Sequence, residues 1–195
     1  MGIKALSERI ADSFVKGGAD LKLRQVYAYG IEDTLSTGII LLLLLTAGLV
    51  FGKLLHMLVF IVAWLPLRIM VGGMHAKTHL MCTIVSVSLG VLSISFSEQS
   101  NRLPFIAVTI TAVLCYIVFF LLSPVVHKNH PISELHRKKM RTIARVYALA
   151  EYSGIIWLAY AKSIMMSPAL LACFSTAVME LLGYFNKNTI KHYDR

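Results

Sequence analysis

Gly38-Ile39-Ile40-Leu41-Leu42-Leu43-Leu44-Leu45-Thr46-Ala47-Gly48-Leu49-Val50-Phe51-Gly52 holds no charged residue, and its reading decides the fold. A helix crosses the hydrocarbon core of a bilayer with about 20 mainly apolar residues. The block around this stretch, residues 34–51, comes close to that length, and further apolar blocks follow at 54–71, 80–97, 104–126, 143–161 and 164–185. The whole 195-residue chain is 57% hydrophobic and only 15% charged, with a mean hydropathy of +0.71. That is far more apolar than an ordinary soluble domain. The expected fold is therefore all-α: a polytopic membrane helical bundle of about six transmembrane helices, residues 34–195, in one domain.

Residues 1–33 read differently. Ile3, Leu6, Ile10 and Phe14 recur at helical spacing among Lys4, Glu8, Arg9 and Asp12, and Gly17-Gly18 then interrupts before Leu21, Leu23, Val26 and Tyr27. Such a segment suits an amphipathic helix in the head-group plane, or one packed on the protein's own surface. About 30 charge-rich residues before the first long apolar run argue against a cleavable signal peptide.

Orientation follows from where the cations sit. With the N-terminus inside and the blocks alternating, the inside segments hold 16 of the 19 Lys and Arg residues. The outside turns hold only Lys53, Arg102 and Lys162. The positive-inside rule thus expects six spans with both termini in the cytoplasm. The same placement explains the net charge of +9 through anionic lipid head groups, without nucleic acid as a partner. Cys82, Cys115 and Cys173 form neither a CxxC motif nor an even set, so no disulfide framework is expected.

The chemistry concentrates in Arg68-Ile69-Met70-Val71-Gly72-Gly73-Met74-His75-Ala76-Lys77-Thr78-His79-Leu80-Met81-Cys82. By the topology above it lies on the cytoplasmic side, after Pro66 has invited a kink or break in the second span. A cysteine at the start of a helix feels the positive end of the helix dipole, which favours the nucleophilic thiolate. A nearby imidazole can act as its base. His75 and Cys82 are seven residues apart, about 10.5 Å along a straight helix, so the chain must bend if they are to meet. Gly72-Gly73 would permit such a turn. His79 is three residues from Cys82 and needs no bend, so spacing alone leaves both histidines open. A metal held by His75, His79 and Cys82 lacks a fourth local ligand, and no metal or cofactor is expected. Cys115 and Cys173, central in their blocks, read as packing residues.

The spacing Arg68…Gly72-Gly73-Met74-His75-Ala76…Thr78…Cys82 resembles the signature of the accessory gene regulator B (AgrB) family. Chain length, the amphipathic N-terminal segment, the hydropathy pattern and the basic stretch before the fifth block extend the likeness over nearly the whole chain. The family comprises membrane-embedded cysteine endopeptidases of bacterial quorum sensing. The resemblance implies that His75 and Cys82 are the catalytic pair. It also implies an AgrD-like precursor peptide as substrate, cleaved before its acidic tail through a thioester and cyclised to a thiolactone or lactone. A bacterial cell-membrane location, lipid contacts and a homodimer are the matching expectations.

Other residues carry supporting roles in this reading. Arg68 could stabilise an oxyanion or orient a carboxylate, or simply anchor the second span in head groups. Glu151 and Glu180 lie within spans, where a carboxylate is costly and marks either function or a structural pair. Either could orient the histidine. Lys128, Arg137, Lys138, Lys139 and Arg141 could attract an acidic tail, although positive-inside topology accounts for them equally. A peptide exporter without covalent chemistry is the competing function, weakened by the lack of an internal repeat. A purely structural scaffold is the third.

Overall fold

The computed structural model describes residues 2–71, 79–122 and 134–193, and every α or β element among them is helical. The α-helices are α1 (Ile3–Lys16), α2 (Arg24–Val50), α3 (Leu54–Val71), α4 (His79–Ser95), α5 (Phe105–Leu122), α6 (Glu134–Tyr160) and α7 (Met166–Tyr193). Short 3-10 turns occupy Leu21–Leu23 and Ser97–Arg102. The all-α expectation therefore holds. By length and composition, Leu21–Val50 and Phe105–Leu122 are long and apolar enough to cross a membrane, while Leu54–Met70, Leu80–Ser95 and Met166–Leu182 are shorter apolar stretches.

The chain divides into two compact units, residues 1–43 and 44–195. In the first, Gly18 takes φ +102°, a conformation that favours glycine, and lets α1 end before α2 begins. Arg24 Nε donates to Asp12 Oδ1 at 2.5 Å, and the hydrogen bond holds the Asp12 carboxyl below its ordinary range. The rings of Phe14 and Tyr27 meet edge-on nearby. α1 buries Ser7 and Ala11 and leaves Leu6 and Phe14 exposed, so part of its apolar stripe stays uncovered.

In the second unit α7 packs against α3, α4, α5 and α6, and α6 also packs against α3 and α5. The core is built largely from small residues at helical spacing: Val108, Ala112 and Cys115 from α5, Ala144 and Ala148 from α6, Ala169, Cys173 and Ala177 from α7. Large apolar side chains such as Leu55, Ile69, Ile106, Leu114, Leu121 and Trp157 point outward instead. Small residues inside and bulky apolar ones outside is the pattern of helices that pack in lipid, where close backbone approach drives association. Gly48 serves the same end, since a β-carbon there would stand 2.8 Å from Met57 Cβ.

Two backbone carbonyls show how α6 ties its neighbours. Proline has no N–H, so the carbonyl four residues before it in a helix loses its partner. Pro66 frees the carbonyl of Val62, and Tyr147 of α6 donates its hydroxyl to that oxygen at 2.9 Å. Phe120 lies in the last turn of α5, where carbonyls lack an intrahelical donor, and Arg145 Nη2 of α6 donates to the Phe120 carbonyl at 2.8 Å. The Arg145 guanidinium also lies 3.9 Å over the Phe120 ring. The Tyr147 bond replaces the one that Pro66 removes, and α3 runs as helix through Pro66 to Val71, where the sequence suggested a kink or break. Tyr147→Phe should cost about 1–3 kcal/mol, because it leaves the Val62 carbonyl unpaired. Thermal unfolding of the detergent-solubilised protein measures it, and an unchanged midpoint would refute the role.

Candidate active site

α3 and α4 form an antiparallel pair whose seam sets large residues against small ones. Lys53, just before α3, brings Nζ to within 3.4 Å of Ser97 Oγ and 3.1 Å of the Ile94 carbonyl. It also pairs with Glu98 at 2.9 Å, which holds that carboxyl below its usual range. Further along, a β-carbon at Gly90 would stand 3.5 Å from Phe60 Cε1 and 3.4 Å from Met57 Sδ. Eight residues on from Phe60 and eight back from Gly90, Arg68 Nη2 donates to Cys82 Sγ at 3.1 Å. In all three pairs, Lys53 with Ser97, Phe60 with Gly90 and Arg68 with Cys82, the residue numbers add to the same total. The contacts therefore run antiparallel along the seam. Ser86 and Ser93 of α4 and Met57 and Trp64 of α3 are buried.

This seam is why two residues 14 apart in sequence meet. α3 and α4 pack side by side, and the long Arg68 side chain reaches across to Cys82. Trp64 fixes the direction of that side chain. Its ring is buried, stacks on Phe60 and lies 5.4 Å from the Arg68 guanidinium carbon. The aromatic face attracts the cation and restricts it to the side on which Cys82 stands.

Cys82 is half-buried and not in a disulfide. The Arg68 guanidinium thus sets a cation and a hydrogen-bond donor directly on the sulfur of a potential nucleophile. Arg68 also carries further N–H groups, so an oxygen that develops charge next to Cys82 would find a donor there. Cys115 and Cys173 are buried in the core instead, and Cys173 donates to Glu151 Oε1 at 2.8 Å.

Among the residues singled out from sequence, the structure thus joins Arg68 and Cys82. Gly72, Gly73 and His75 lie outside the described residues, as do Lys128 and the side chains of His79 and Arg137. α3 and α4 run antiparallel. His75 falls seven residues from Arg68 and seven from Cys82.

The two acids of the last apolar blocks separate. Glu151 is engaged by Cys173 and borders a cavity of about 450 Å³ among α3, α6 and α7, whose lining is apolar apart from Glu151 and Tyr147. Glu180 is fully buried, and neither carboxyl oxygen has a hydrogen-bond partner among the described residues. Lys138 and Lys139 are exposed on α6, and Arg141 is half-buried. The hydroxyls of the third apolar block divide too: Ser86 and Ser93 are buried at the seam, while Ser88 and Ser95 are exposed. Sequence reasoning missed Trp64 as a site residue. Its position four residues before Arg68, one helical turn, was the available signal.

Comparison with known proteins bears on this geometry. The family model described as Accessory gene regulator B matches residues 7–182. An AgrB-like protein 2 of Clostridium perfringens strain 13 is 26% identical over 97% of this chain and 95% of its own length. An AgrB-like protein of C. perfringens strain SM101 is 27% identical over the same shares. No solved structure matches the chain.

Proposed function

The chain belongs to the accessory gene regulator B family, and from that premise we propose that it is a membrane cysteine endopeptidase that trims and cyclises a short AgrD-type precursor peptide. The observation that carries this reading is the donation from Arg68 Nη2 to Cys82 Sγ. It supplies the feature a lone packing cysteine lacks, a cation aimed at sulfur.

The reaction runs in two acyl transfers. The Cys82 thiolate attacks the carbonyl at the junction between signal and tail, and the Arg68 guanidinium stabilises the oxyanion of the tetrahedral intermediate. The C–N bond breaks, and the tail leaves as an amine that takes its proton from His75. The signal portion is then a thioester on Cys82. An internal Cys or Ser of the peptide gives its proton to His75 and attacks that thioester. A thiolactone or lactone is released and the Cys82 thiolate re-forms. The thioester conserves acyl-transfer energy, so ring closure proceeds only while water is kept away.

Location follows the same proposal. The Arg68 end of the second unit faces the cytoplasm of a multi-pass membrane protein, in line with the distribution of its cations. Exposed Lys138 and Lys139 are then available to an acidic tail.

The test is chemical. Membranes containing the protein and an AgrD-type precursor should yield a hydroxylamine-labile adduct whose mass places the signal portion on Cys82. An intact precursor bearing no such adduct would count against the mechanism. The base assignment has its own experiment: His75→Ala should lower cleavage by at least about 10²-fold, the usual size of a general-base contribution. His79→Ala should retain most activity, and equal losses in the two variants would move the role to His79.

A further inference from the structure

α5 ends where a spanning helix meets head groups. Phe105–Leu122 is long and apolar enough to cross a membrane, and its 18 residues rise about 27 Å, close to the thickness of a hydrocarbon core. Its last turn therefore stands at the level where phosphates begin. α6 runs antiparallel to it, as two contacts show: the rings of Tyr116 and Tyr152 meet, and further along α5 Phe120 meets Arg145. Arg145 gives Nη2 to the Phe120 carbonyl and lays its guanidinium on the Phe120 ring. Arg141 lies one turn nearer the start of α6, about 6 Å along the axis and on the same side of the helix. Two guanidinium groups thus stand in a row at the end of α5.

These two cations differ from the lysines that precede them. Lys138 and Lys139 are exposed, whereas Arg141 and Arg145 are half-buried. In both arginines Nε is enclosed by protein and has no hydrogen-bond partner among the described residues. Nor does a described acid balance them. Of the acids in residues 44–195 whose side chains are described, Glu98 pairs with Lys53, Glu151 accepts from Cys173, and neither oxygen of Glu180 has a partner. Two like charges one turn apart, partly desolvated and without a counter-charge, are unfavourable. Just inside them the surface turns apolar. Ile117 and Leu149, each one turn deeper than Phe120 and Arg145, are exposed, and so is Leu121. An occupant that suits both parts carries an anion at one end and a hydrocarbon chain at the other. A hydrophilic acidic peptide matches the cations alone.

We propose that Arg141 and Arg145 form a binding site for one anionic phospholipid, its phosphate held by the two guanidinium groups and an acyl chain lying along α5 and α6 past Ile117 and Leu149. Arginine suits this ligand because its fork of N–H groups matches phosphate oxygens. Basic pockets between spanning helices are a recurrent setting for phospholipid head groups. The lipid supplies the counter-charge that the described acids do not, and it braces the end of α5 against α6. The proposal is independent of the endopeptidase reading above.

The experiment titrates the full chain, in an uncharged detergent, with dioleoyl phosphatidylglycerol and counts bound lipid by native mass spectrometry. Dioleoyl phosphatidylcholine, with the same chains and a zwitterionic head, is the reference. One phosphatidylglycerol should be held at least about tenfold more tightly. A cation beside an anionic head group contributes about fivefold. Arg141→Gln leaves the Arg145–Phe120 bond in place, and should weaken phosphatidylglycerol by that factor while changing phosphatidylcholine little. Arg145→Lys keeps the charge without the fork and should also lower the preference. Arg102→Gln removes an equal charge near the opposite end of α5 and should leave the preference as it is. Dihexanoyl phosphatidylglycerol, with the same head and short chains, should bind at least about tenfold more weakly than the dioleoyl lipid. Equal binding of the two dioleoyl lipids would overturn the proposal, and the wild-type chain alone decides this where a variant cannot be recovered. Equal losses in Arg141→Gln and Arg102→Gln would overturn it too, since net charge alone would then govern binding. Displacement of the lipid by hexaglutamate would assign the two arginines to an acidic peptide instead.

Discussion

Cys82→Ala should abolish tail removal from an AgrD-type precursor, with residual turnover at least about 10³-fold below that of the wild-type chain. A nucleophile that forms the covalent intermediate has no substitute, and what remains is only the catalysis due to binding and polar groups, as in other hydrolases stripped of their nucleophile. Cys173→Ala and Cys115→Ala are the informative controls. Both thiols are buried in the core, away from the Arg68 seam, so their loss should alter stability more than turnover. Coexpression of each variant with the precursor, followed by gel separation of processed and unprocessed peptide, measures the effect. Processing at the wild-type level in Cys82→Ala would leave a noncovalent function, such as peptide export, as the better account.

Arg68→Gln should produce the next largest loss, about 10²-fold in kcat, or roughly 2.7 kcal/mol of transition-state stabilisation. Two effects combine. Gln carries no charge beside Cys82 Sγ, and it offers two neutral N–H donors where the guanidinium has five. Arg68→Lys separates the two, since it restores charge without the planar fork or the stacking on Trp64. It should recover thiol reactivity towards iodoacetamide better than it recovers kcat. Parallel recovery of both would mean that Arg68 acts on the thiolate alone, and wild-type kcat in Arg68→Gln would mean that the 3.1 Å contact is incidental. Anchoring in head groups, the plain alternative for this arginine, expects altered membrane insertion and unaltered turnover in the protein that does insert.

The acids show where sequence reading reached its limit. Glu151 and Glu180 are equivalent in sequence, each a lone carboxylate in an apolar block. Spacing could not say that Cys173, which is 22 residues from Glu151, would engage it. The same holds for Tyr147 and Val62, which are 85 residues apart. Pro66 could be read as a helix breaker because proline lacks an N–H, but the side chain that would replace the lost bond came from another helix.

Composition and periodicity are local properties, set by the cost of exposing apolar side chains or unpaired backbone to the wrong solvent. They determined the all-α fold, the apolar blocks and their separation by bunched charge. Local spacing also singled out Arg68, His75, His79 and Cys82 as the stretch with chemistry in it. Which members of that stretch meet was decided only by tertiary packing. The antiparallel packing of α3 on α4 sets Arg68 on Cys82, and the packing of α6 on α7 gives Glu151 to Cys173. Contacts between helices depend on which faces can come close, and that is a property of pairs of segments that neither sequence carries alone.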